Sequence, residues 1–140
     1  MMLLTACIEV FLLCVSCVSY AQTGVRERVV FYNTENLFDT RNDTLTADDD
    51  FTPRGKQHWN RERYTRKLLN ISKVLNSLGA GKFPLLIGLS EVENRDVVSD
   101  LVNKTVLADG DYGIVYADSP DARGIDVALL YRKNSFRLLH

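Results

Sequence analysis

Cysteine is nearly missing from this 140-residue chain, and the three copies it has, Cys7, Cys14 and Cys17, all precede residue 22. Residues 22–140 can therefore build neither a disulfide framework nor a thiolate metal site. Histidine is almost as scarce, with only His58 and His140, and there is no His-Glu-x-x-His pattern. Also lacking are a phosphate-binding glycine loop and a dinucleotide fingerprint. Gly88-Leu89-Ser90-Glu91-Val92 begins like a nucleophile elbow, but Val92 stands where the second glycine belongs. Together with the histidine shortage, this argues against a serine hydrolase. No low-complexity run and no internal repeat is found, and neither sign of charge dominates: 17 Lys and Arg face 18 Asp and Glu. What is there, 46% hydrophobic and 25% charged, is ordinary for one soluble globular domain.

The first 21 residues differ from the rest. An apolar run over residues 10–18 has the length of a secretory-signal core and is too short for a membrane span, and Ser19-Tyr20-Ala21 before Gln22 offers the small residues a signal peptidase prefers. We expect residues 1–21 to be a cleaved signal peptide, residues 22–140 the remaining domain, and the protein to be exported, periplasmic or secreted. Anchoring through a lipidated Cys17 is the less favoured alternative. Cleavage would remove Glu9, the leader's one charged residue, and leave the charges balanced. Attraction for nucleic acid must then be local.

Along the remainder, residues 28–33 read as a strand whose continuous apolarity predicts cover on both faces. Residues 41–53 form a polar loop carrying Asp43, Asp48, Asp49 and Asp50, which we expect to be solvated, since the glycine and glutamate of an EF-hand loop are absent. From Asn60 the spacing of Tyr64, Leu68, Ile71, Leu75 and Leu78 predicts a helix, with Asn60 as N-cap and Gly79 just past its end. Residues 84–89 read as a second strand. Asn94 then caps a helix running through Val97, Val98, Leu101, Val102 and Val106, and residues 112–116 and 125–131 read as two more strands. The order β-α-β-α-β-β predicts a mixed sheet in a layered α/β or α+β fold.

Two of these strands end in polar residues suited to chemistry. Asn33 ends the first and Glu91 follows the second, and the ends of strands are where α/β folds place functional groups. An amide and a carboxylate there could present a hard divalent cation to a phosphate.

Three segments, Tyr32-Asn33-Thr34-Glu35-Asn36-Leu37-Phe38-Asp39, Ile87-Gly88-Leu89-Ser90-Glu91-Val92-Glu93-Asn94, and residues 118–131 around Arg123-Gly124-Ile125-Asp126, resemble in this order motifs of the endonuclease/exonuclease/phosphatase superfamily, whose members include the deoxyribonuclease I-like nucleases. The resemblance runs from about Val29 to Phe136. It implies a four-layer α/β sandwich with mixed sheets, of which this chain would supply the N-terminal half. It also implies that Asn33 and Glu91 are catalytic and metal-binding, that the cofactor is Mg2+ or Mn2+, and that Arg123 and Asp126 face the substrate. Glu35, Glu93 and Asn94 are weaker candidates, Glu35 beside the metal's ligands and Asn94 as a helix cap.

The substrate so implied is nucleic acid or another phosphodiester. A phosphodiesterase of phospholipids or sugar phosphates, and a non-catalytic exported module binding metal or phosphate, remain alternatives. The superfamily's later Gly-Asp-x-Asn and Ser-Asp-His segments have no counterpart here, and His140 follows Leu139, not Ser-Asp. We therefore expect these residues alone to be inactive.

Overall fold

The computed structural model describes residues 27–139, so the expected leader and His140 lie outside the described residues. The β-branched and aromatic run at Val29 opens β1 (Val29–Leu37), and the helical periodicity after Asn60 becomes α1 (Arg61–Leu78). β2 (Leu86–Val92), α2 (Arg95–Asn103), a 3-10 turn (Val106–Gly110), β3 (Tyr112–Ala117) and β4 (Asp126–Arg132) follow. The predicted order is met. The strands form one mixed sheet in the order β1-β2-β4-β3, with β1 and β2 parallel and the other neighbours antiparallel. A parallel pair needs a crossover instead of a hairpin, and α1 supplies it.

Both helices lie on one face of the sheet. Val30, Ile87, Leu89, Ala128 and Leu130 meet Leu68, Ile71, Leu75, Val97, Val98 and Leu101 in the main core. On the other face Phe31 is 82% exposed, and Val127 and Leu129 stand open beside it. The expectation that β1 is covered on both faces is thus not met among the described residues. Alternate side chains of a strand leave on opposite faces, so unbroken apolarity reports two apolar faces and not what lies over each.

Asn60 caps α1 as predicted, its Oδ1 accepting from the Arg63 N–H at 3.0 Å. Asn60→Ala should lower unfolding stability by about 1 kcal/mol; urea melts within error of the unchanged protein would show the cap to be redundant. Two details of the helix differ from the sequence reading. Leu78, the last helical residue, is exposed, and the left-handed turn comes at Ala80 and Gly81 instead of Gly79. Gly79 is required for a different reason: a Cβ there would lie 1.7 Å from the Lys82 carbonyl oxygen. The second helix also ends sooner than predicted, because Thr105 starts a separate turn with its hydroxyl accepting from the Leu107 N–H, leaving Val106 exposed and Leu107 buried.

The acidic loop is less solvated than predicted. Asp48 is only 1% exposed; its Oδ2 accepts from the Asp43 N–H, while Oδ1 has no partner among the described residues. The loop is drawn inward by a second apolar cluster of Phe38, Trp59 and Ile125 with Phe51. No described helix is long and apolar enough to cross a membrane.

Candidate active site

Because β1 and β2 are parallel, their C-terminal ends meet at the same edge of the sheet. Asn33 pairs with Ser90 in register, and both strands then slip before Leu37 meets Val92. The slip is made by Glu35, Asn36 and Glu91, all non-glycine residues in the left-handed region at φ 54°, 64° and 59°. Such a conformation costs roughly 1–3 kcal/mol per residue and persists only where surrounding contacts impose it.

Those contacts converge on Glu91. Its Oε1 accepts from the Asn33 amide nitrogen at 3.1 Å and its Oε2 from the Asn36 backbone N–H at 3.0 Å. Asn33 is fixed in turn, its own Oδ1 accepting from the Glu35 N–H at 2.8 Å. The buried Thr34 hydroxyl sits 2.7 Å from the Glu91 carbonyl oxygen and 2.9 Å from that of Ser90, tying one strand end to the other. From α1, the Lys67 ammonium donates to the carbonyls of Glu35 and Asn36. The result is a half-buried carboxylate at the junction of β1 and β2, gripped by two N–H donors.

Residues 28–140 match the model of the Endonuclease/Exonuclease/phosphatase family. The chain belongs to that family. No curated protein and no solved structure matches it. Membership places the domain among hydrolases of the phosphodiesterase and nuclease type, in a family that is in general dependent on divalent metal.

Among the described residues, no three His, Cys, Asp or Glu side chains gather as a metal cage. The donors that are present nonetheless suit magnesium, which keeps several waters and needs only one or two carboxylates besides a substrate phosphate. Glu91 would supply the hard oxygen. Asn33, with its nitrogen toward Glu91 and its oxygen on Glu35, is placed to orient that carboxylate.

The family's other expected positions are arranged differently from one another. Arg123 is exposed and forms a fork onto Asp121, at 3.1 and 2.9 Å. Its guanidinium is held charged chiefly by Asp121, and the charge of Glu91 adds to the effect, so it lies within the electrostatic reach of the site. Asp126 is buried, accepting from the Ser119 N–H at 2.6 Å and from the Tyr116 hydroxyl, and the structure does not pair it with Arg123. Its carboxylate pins the loop that carries Arg123. Asn94 caps α2, accepting from the Val97 N–H at 2.9 Å.

Glu93 reaches the loop that follows β1. Its carboxyl accepts from the Asp39 N–H, and burial pushes its pKa up to about 7, partly opposed by that hydrogen bond and reinforced by the charges of Asp39 and Asp48. Sequence reasoning missed Thr34 and Lys67. Lys67 left one trace: it stands three residues after Tyr64 and four before Ile71, on the helix face whose neighbours at that spacing pack against the core.

Proposed function

We propose that this domain holds one magnesium or manganese ion on Glu91 and uses it to bind a phosphodiester of nucleic acid for hydrolysis. The observation that carries this reading is the Glu91 carboxylate itself, fixed at the meeting of two strand ends by Asn33 and Asn36. A bound divalent ion would polarise a phosphoryl oxygen and offset charge on the leaving oxygen. Asn33 holds the carboxylate in one rotamer and adds no negative charge to repel the substrate. Arg123 can exchange its fork from Asp121 to a phosphate, since both are planar bidentate partners of a guanidinium.

The superfamily's Gly-Asp-x-Asn and Ser-Asp-His segments have no counterpart within residues 22–140, so these residues alone should bind metal and phosphate without family-like turnover. The small-residue site before Gln22 and the apolar run ahead of it support export of the domain with residues 1–21 removed.

The reading is tested by titrating manganese into the protein under electron paramagnetic resonance, then assaying a chromogenic phosphodiester and plasmid DNA with magnesium. Binding at a dissociation constant on the order of millimolar is expected for a site with so few protein ligands. Absence of any binding at tens of millimolar metal would discard the assignment, and fast hydrolysis would show that a water-activating group is present after all.

A further inference from the structure

We propose that Lys67 is a positioning residue for Glu91, acting through a single peptide group. The Lys67 ammonium donates to the Glu35 carbonyl oxygen, and the N–H of that same peptide, on Asn36, donates to Glu91 Oε2 at 3.0 Å. A trans peptide directs its C=O and N–H oppositely in one plane, and no cis bond occurs here. A cation gripping the oxygen therefore fixes where the hydrogen points. It also draws electron density from the amide, which makes the N–H a stronger donor to the carboxylate.

Three further observations fit this role. Lys67 holds the Asn36 carbonyl too, at 2.9 Å, so it spans both left-handed residues of β1 and stabilises the slip that brings the Asn36 N–H to Glu91. Its own position is restricted, with Nζ 5.5 Å from the Trp59 ring centroid, and the Trp59 indole is itself anchored by donating to the Phe38 carbonyl at 2.9 Å. Burial lowers the Lys67 pKa, and the charges of Glu35 and Glu91 act against that loss of charge. The ammonium is thus a fixed cation behind the carboxylate, separated from it by one peptide plane.

This inference rests on Glu91 being the metal-binding carboxylate, and the test keeps the two apart. Manganese affinity is measured on the full chain for the unchanged protein and for K67M, K67Q, K67R, E91Q and K67M/E91Q, with circular dichroism as the folding control. K67M should bind manganese about 10- to 100-fold more weakly, the range for groups that orient a ligand without touching the metal. K67R should restore most of the affinity, because a guanidinium can donate to both carbonyls. K67M should add nothing in the E91Q background, since a residue acting through Glu91 has no effect once that carboxylate is gone. In metal-free protein the Asn36 amide proton should shift upfield in K67M and K67Q, a change that general loosening of α1 would not confine to that amide.

If E91Q leaves affinity unchanged, the metal reading falls and the Lys67 role with it. If E91Q weakens binding while K67M does not, or if the two losses add, Lys67 alone is misassigned. Should K67M fail to fold, K67Q and K67R carry the same comparison.

Discussion

Glu91→Gln should weaken divalent-metal binding by more than the 10- to 100-fold typical of a supporting residue, and should lower phosphodiester hydrolysis by a similar or larger factor in any form of the protein that turns over. Glutamine has nearly the same shape but carries no charge, so a metal held as proposed would lose the carboxylate that binds it. The neutral side chain also meets a conflict. Its oxygen can still accept from the Asn36 N–H, but its amide nitrogen would then face the Asn33 amide nitrogen, donor against donor. Asn33 could turn over only by giving up the 2.8 Å bond its oxygen accepts from the Glu35 N–H. Calorimetric or resonance titration with manganese decides the matter. Equal affinity in the two proteins at limiting metal would sink the assignment of Glu91.

Phe38→Ala should cost about 3–5 kcal/mol of folding stability, a large part of the 5–15 kcal/mol typical of a whole domain. Phe38 is 1% exposed and stacks on Phe51 with ring centroids 4.3 Å apart, and its carbonyl takes the Trp59 indole N–H. Truncation opens a cavity at the centre of the second cluster and loosens the loop held between Phe38 and Trp59. The comparison is with Leu45→Ala, at a residue 91% exposed, where almost no effect is expected. A Phe38→Ala loss under about 1 kcal/mol in urea melts would mean that the cluster collapses around the gap or contributes little.

The elements of this fold were legible in the sequence because their signals are local. Asn60 and Asn94 precede apolar periodicity and do cap α1 and α2. The polar residues after the apolar runs that open β1 and β2 marked Asn33 and Glu91, and parallel pairing brings these two into contact. What stayed hidden depends on contacts distant in sequence. In the sequence Lys67 is one cation among Arg61, Arg63, Arg66 and Lys73, and only the packing of α1 against β1 shows that its charge is spent on two carbonyls. Asp48 reads as part of an acidic solvated run, and only the inward pull of Phe51 and Trp59 explains its burial. Asp126 showed its type but not its task, because its partners Ser119 and Tyr116 lie across a loop and on the neighbouring strand.

The parallel pairing of β1 and β2 also sets an order of events during synthesis. β1 cannot fold back on an immediate neighbour, and in the described sheet it has only β2 beside it. Asn33 and Glu91 are 58 residues apart, so at a ribosomal rate of about 5–20 residues per second the first half of the site waits several seconds for the second. Throughout that interval Val29, Phe31 and the backbone edge of β1 have no native strand to pair with, an unpaired edge open to pairing with other chains while the chain is still growing.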